Sequence, residues 1–137
     1  MSNARLLKEK KVPKALICGM LKDGERILFL KRLDANGNER LEMPCTLNYG
    51  EDPVTQLTHE FRRQTGIDGE IGEIVFEARH NAGSRKKKVW IPCLVFKIMA
   101  RNTRITLAKE FSGFRWLSVE DVKKEKLDRK LEWITVH

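Results

Sequence analysis

A single helix, marked at both ends, sets the terms on which this chain folds. Asp52-Pro53 opens it: the Asp52 carboxylate can accept from the exposed amides of a first turn, and Pro53 suits the first helical position, where its missing N–H costs nothing. Gly66 closes it, as the residue that takes the left-handed conformation just past a helix end. Between these limits Val54, Leu57 and Phe61 recur at i, i+3 and i+7 and predict a face packed on a sheet. Glu60, Arg63 and Gln64, at i, i+3 and i+4, share another face. A helix with one apolar stripe needs a layer beneath it.

The rest of the chain supplies strands for that layer. Apolar runs over Lys14 to Leu21 and Arg26 to Leu33 flank Lys22-Asp23-Gly24-Glu25, whose Asp-Gly is a hairpin signal. Asp34 to Asn38 is loop chemistry, and Leu41 to Leu47 reads as one short strand. Further strands are predicted at Glu70 to His80 and Lys88 to Ala100, with shorter ones at Arg104 to Ala108 and Phe114 to Leu117. Ser118 is placed to cap a last helix over Val119 to Glu125. No repeat, low-complexity stretch or linker divides residues 12 to 137, which read as one α/β domain, a mixed sheet flanked by helices, after a basic flexible arm over residues 1 to 11.

A length of 137 residues fits one such domain, large enough to bury roughly two-thirds of the surface its unfolded chain exposes. Cys18, Cys45 and Cys93 are odd in number and show no Cys-x-x-Cys spacing, which argues against a disulfide framework or zinc site and for small core residues in a reducing compartment. No apolar run is long enough to span a bilayer and no signal peptide opens the chain, so a cytoplasmic protein without a membrane partner is expected. The 27 Lys plus Arg against 19 Asp plus Glu leave +8, a bias toward polyanionic partners. Its sharpest expression, Arg85-Lys86-Lys87-Lys88, follows the turn signal Asn81-Ala82-Gly83-Ser84. Two readings stand there: a solvated hairpin tip, or a contact for phosphate or nucleic acid.

With Pro44, the segment Cys45 to Ile67 reads PCTLNYGEDPVTQLTHEFRRQTGI. It resembles the Nudix box, in which Gly, five residues, Glu and seven residues precede Arg-Glu-apolar-x-Glu-Glu-x-Gly-apolar. Glu51, Glu60, Phe61, Gly66 and Ile67 match, while Cys45, His59, Arg63 and Gln64 depart, so the box is degenerate. Leu41-Glu42-Met43-Pro44 resembles the Trp-Glu-Leu-Pro that leads into the family's box, and Glu110 to Val122 resembles its downstream Glu-x5-Trp-apolar-Ser-x-Glu-Glu-Leu. The resemblance, to MutT-like proteins of the Nudix hydrolase superfamily, runs over about residues 12 to 125. It implies the Nudix fold and a lineage of hydrolases acting on nucleoside diphosphates linked to another group.

Cleaving a phosphoanhydride requires an attacking water and neutralisation of charge building on phosphate oxygens, which clustered carboxylates accomplish by holding Mg²⁺ or Mn²⁺. The resemblance places Glu60 and Glu110 among the catalytic carboxylates and metal ligands, with Gln64 able to offer one neutral oxygen. Arg63 stands where the family has an acid, and its permanent charge repels a divalent ion. Either Arg63 grips a ligand phosphate, or it pairs with Glu60 or Glu110 and neutralises leftover carboxylates. The expectation is a binder of a nucleotide or other phosphate ligand with weak or no hydrolysis, needing Mg²⁺ or Mn²⁺ only if active. Its alternatives are a divergent metal-dependent hydrolase and a basic interaction or nucleic-acid-binding module acting through Arg85, Lys86, Lys87 and Lys88. Arg32, with Lys31, stands at a strand end from which Nudix proteins contact substrate phosphates. Glu51 and His59 occupy the pair that braces the family's loop.

The remaining candidates are weaker. His80 reads as a turn or surface residue, and Trp90 as packing in or beside the sheet, or else offering a face to a nucleobase. Leu131, Trp133 and Ile134 suggest a C-terminal segment docked on the body or on a second copy of the chain, which leaves a homodimer open.

Overall fold

The computed structural model describes residues 12–136; the arm expected over residues 1–11 lies outside the described residues. The first described elements form a hairpin, β1 (Ala15–Asp23) and β2 (Arg26–Leu33), turning at Gly24 with φ +65°. β3 (Glu39–Glu42) and β4 (Cys45–Asn48) lead into α1 (Pro53–Thr65). There follow β5 (Glu70–Asn81), β6 (Trp90–Met99), β7 (Gly113–Leu117), the single turn α2 (Val119–Val122) and a 3-10 helix over Arg129–Val136. The strands form one sheet in the order β3-β2-β1-β6-β5, with β4 also paired to β1 and β7 to β2. β1 and β6 run parallel and the other pairs antiparallel, so the sheet is mixed as expected.

β1 lies at the centre, which explains its near-continuous apolar run: both of its faces are covered. Leu16 and Cys18 face Cys93, Val95, Leu131 and Trp133, while Ala15, Ile17 and Leu21 face Leu57, Phe61, Phe96 and Ile98. The 3-10 helix covers the first face and α1 the second. Cys18, Cys45 and Cys93 are all free thiols in the core.

Three elements differ from the sequence reading by more than a shift of one or two residues at an end. The strand expected over Leu41 to Leu47 is two, because the chain changes partner at Met43-Pro44: β3 pairs with β2 and β4 with β1. Proline has no N–H for a ladder, and at this step its carbonyl accepts from Gly19 N at 2.8 Å. Arg104 to Ala108 forms no strand; Thr106 N and Ala108 N donate to the α1 carbonyls of Thr65 and Gln64 at 2.8 and 3.1 Å. These carbonyls belong to the last turn, which has no further helical amide to accept from. The last helix is also shorter than Val119 to Glu125, although Ser118 caps it as expected, accepting from Asp121 N.

The ends of α1 behave as their residues dictate. Asp52 accepts from Thr55 N and Thr55 Oγ1 at 2.9 and 2.7 Å. Gly66 adopts φ +75° and donates to Arg62 O at 2.8 Å; a Cβ there would stand 2.9 Å from Thr106 Cβ. The buried positions are Leu57, Phe61, Gln64 and Thr65, so the packed stripe starts a turn later than the exposed Val54.

Candidate functional site

The side of α1 that flanks its buried stripe carries Glu60, Arg63 and Gln64 beside the start of β4, with Gln64 itself buried, and the segment after β6 delivers Glu110 to them. Arg63 is the hub. Its Nε donates to both Glu60 oxygens at 3.2 Å and its Nη2 to Glu60 Oε1 at 3.2 Å. Across the site, Nη1 and Nη2 donate to Glu110 Oε1 and Oε2 at 3.2 and 2.7 Å, the parallel two-bond geometry that guanidinium and carboxylate favour. Glu110 is held in place from behind, since Phe111 is buried, Phe111 N donates to Ala108 O and Ser112 N to Lys31 O.

Gln64 is 4% exposed. Its Nε2 donates to Cys45 O at 2.8 Å and to Glu60 Oε1 at 3.2 Å, while Oε1 is buried without a hydrogen-bond partner. The two flanking acceptors fix this orientation, because an amide flip would set oxygen against oxygen. The unmatched oxygen costs about 1–3 kcal/mol. The neutral oxygen expected of Gln64 thus points away from Glu60.

Arg32 lies on the far side of Glu110, with Nε and Nη2 donating to Glu42 Oε2 and Oε1, both at 3.1 Å, and its guanidinium 4.9 Å from the centre of the Phe111 ring. Glu42 is 1% exposed and also meets Lys130 Nζ at 3.4 Å. The Arg32–Glu42 hydrogen bonds raise the Arg32 pKa. Glu42 and Lys130 escaped the sequence reading of the site. A lone acid in the apolar run Leu41-Glu42-Met43 was a usable signal for the first, while Lys130 had none.

Glu51 and His59 line one shallow depression beside Thr46, Asp52 and Glu60. Glu51 Oε1 accepts from Tyr49 N at 2.6 Å. Asn48, also unremarked in the sequence, ties the loop as well, its Nδ2 donating to Glu51 O and Gln56 Oε1 at 2.9 and 2.8 Å. Arg85 to Lys88 stand apart, in the loop joining β5 to β6. His80 is buried rather than a surface residue, and its pKa is lowered by burial and then by Arg129 and Lys130.

The Arg63 hydrogen bonds hold the Glu110 carboxyl below its ordinary value of 4.5. A carboxylate whose folded pKa is depressed contributes stability above its unfolded pKa and loses it as pH falls through the folded one. Arg63→Gln is therefore expected to destabilise the protein at pH 7 and to cost progressively less below about pH 4.5. Urea midpoints of both proteins at pH 7 and pH 3 measure this; a gap unchanged with pH would mean that the Arg63–Glu110 pair contributes nothing in solution.

A mixed sheet covered by α1 on one face and the C-terminal segment on the other, with α1 carrying the polar cluster, is the Nudix fold, which solved structures similar to this chain share. The MutT protein of Methanosarcina mazei superposes with a TM-score of 0.70 at 19% identity, over 93% of this chain and 94% of that one. The Nudix domain of NrtR from Shewanella oneidensis, solved with ADP-ribose, has a TM-score of 0.66 at 14% identity, over 99% and 94%. An ADP-ribose pyrophosphatase of Streptococcus suis has a TM-score of 0.66 at 13% identity, over 90% and 86%. No family model and no curated protein matches the sequence.

The residues present do not fit the metal cluster that a complete Nudix box implies. A divalent ion needs several oxygens converging on one point. Here the two converging carboxylates already face a guanidinium, and Gln64 turns N–H rather than oxygen toward Cys45 O and Glu60. Among the described residues no three of His, Cys, Asp and Glu are grouped to hold a metal ion.

Proposed function

We propose that this Nudix-fold protein binds a nucleotide or another phosphate-bearing small molecule at the Glu60–Arg63–Glu110 cluster and hydrolyses it weakly or not at all. One observation carries the reading: the Arg63 guanidinium lies between the two carboxylates that would otherwise gather a cation. Without a bound cation the cluster has no Lewis acid to activate water or to neutralise charge on the leaving phosphate, so the chemical step lacks its main support. Arg63 keeps the geometry for holding phosphate, being half-exposed and able to exchange a carboxylate for a phosphate edge. Arg32 adds a second cation beside Glu110.

ADP-ribose, a dinucleoside tetraphosphate and nucleoside triphosphates are the compounds to assay, with Mg²⁺ or Mn²⁺ for turnover and by calorimetry for binding. Turnover at background is expected, together with binding of at least one compound that Arg63→Ala weakens about tenfold, the loss of one charge-assisted contact worth roughly 1.5 kcal/mol. Robust metal-dependent turnover abolished by Glu60→Gln would instead make the protein a divergent hydrolase that works by displacing Arg63.

A further inference from the structure

A second polar cleft, remote from α1, lies between the end of the β5–β6 hairpin and the C-terminal 3-10 helix, with a volume of about 700 Å³. Arg79, Arg85, Lys88 and Arg129 line it, and none of the four is paired with a carboxylate among the described residues. Arg129 spends its N–H groups on neutral acceptors, donating to the carbonyls of Asn81 (at 3.1 Å) and Gly83, which ties the 3-10 helix to the hairpin loop and leaves its charge unbalanced. Of the lining acids, Glu125 is already paired with Arg115, leaving Glu132.

Trp90 lines this cleft and is 50% exposed, so it lies beside the sheet with part of its indole open, which both expectations for it allow. The Arg79 guanidinium lies 4.7 Å from its ring centre, which steadies the indole and sets a cation beside it. Trp90 also borders a second depression of about 460 Å³, lined besides by Glu77, Ala78, Arg79, Trp133 and Val136, which adjoins the cleft through Arg79, Trp133 and Val136. One exposed indole thus stands where a cationic groove meets a largely apolar niche. The ligand that matches both sides carries flat apolar faces on a chain of regularly spaced anions.

We infer that this cleft is a binding site for single-stranded nucleic acid, in which an unpaired base stacks on Trp90 at the apolar niche and successive phosphates run past Arg79, Arg129, Arg85 and Lys88. Four cations that no carboxylate balances suit several phosphates, and a stacking platform beside a cationic groove is how strands are held without sequence readout. A duplex, with its bases already stacked, leaves the indole unused. The site is separate from the Arg63 cluster, so neither assignment depends on the other.

Fluorescence anisotropy of the full chain with fluorescein-labelled single strands of about twelve nucleotides, RNA and DNA, tests this over a salt series. Binding is expected to weaken steeply with salt. Arg85→Glu/Lys88→Glu is expected to weaken it more than tenfold and to flatten the slope of log K against log salt by about 1.4, the loss of two phosphate contacts. Trp90→Ala is expected to cost about tenfold at every salt concentration with the slope unchanged, Trp90→Phe to retain most of the affinity, and Arg63→Ala to bind as wild type does. Thermal melts establish that each variant is folded. Wild-type affinity in Trp90→Ala, equal affinity for a duplex, equal affinity of Arg63→Ala for a mononucleotide, loss of strand binding in Arg63→Ala, or no binding of any strand would each overturn the assignment.

Discussion

Arg63→Glu/Gln64→Glu is expected to turn a cation-indifferent site into one stabilised by Mg²⁺ or Mn²⁺. In the wild type the guanidinium balances one of two carboxylates and Gln64 donates N–H to Glu60. In the variant four carboxylates crowd one patch, and in chelator they repel one another and lower stability. A bound ion reverses this: at a hundred times its Kd it adds about 2.7 kcal/mol, which for a chain of this size is on the order of 10 °C in Tm. Thermal melts of both proteins in chelator and in metal make the comparison. A wild-type Tm that rises as far as the variant's would sink the idea that Arg63 excludes the ion. If neither responds, the site has lost more than its ligands. Turnover appearing in the variant alone would show that the remaining geometry still suits catalysis.

The second large effect concerns Glu42. It is buried and meets the charged ends of Arg32 and Lys130, so Arg32→Met/Lys130→Met leaves a carboxylate in the interior without a partner. The expected loss is about 3–5 kcal/mol. Adding Glu42→Leu to that pair is expected to recover most of it, since a packed apolar trio replaces an ionic one at little net cost. Urea denaturation of the double and triple variants gives both numbers, and a double variant within about 1 kcal/mol of wild type would contradict the pairing. Because Arg32 holds Glu42 as well as standing near the cluster, its substitution alters binding and stability together. Loss of ligand in Arg32 variants is interpretable only beside their melting curves.

Most of the architecture was legible because it rests on local signals. The Asp-Gly turn, the Asp52-Pro53 opening and the Gly66 stop each act within a few residues, and each appears where its chemistry puts it. The break at Met43-Pro44 was missed because it depends on a change of strand partner, which no window of sequence displays. The cluster was partly legible: helical spacing alone sets Glu60, Arg63 and Gln64 on one face. The meeting of Glu110 with Arg63 crosses 47 positions and was open to the sequence only through the family resemblance, as one of two readings of Arg63. Both readings of Arg63 began from its charge, and its pairing with Glu60 and Glu110 is the one the structure displays, while a phosphate contact requires a ligand. The exposure of Trp90 was left open between two readings because an apolar strand pattern says which residues alternate, and not that the first residue of β6 stands half uncovered at the hairpin's end.

The bonds from Thr106 N and Ala108 N to the last carbonyls of α1 divide the segment after β6 into two parts with different histories open to them. On the near side, residues 101–104 are exposed, and the amide bond among them is the local one from Arg104 N to Asn102 Oδ1. Added or deleted residues there would be taken up before the stitch and leave Glu110 where it is. Beyond it, a change of one residue between Ala108 and Glu110 would carry the carboxylate away from Arg63 and pull Phe111 out of the core. Length variation in this loop is therefore safe on one side of Thr106 and ruinous on the other, and a lineage could lengthen residues 101–104 freely while the Arg63–Glu110 pair stayed fixed.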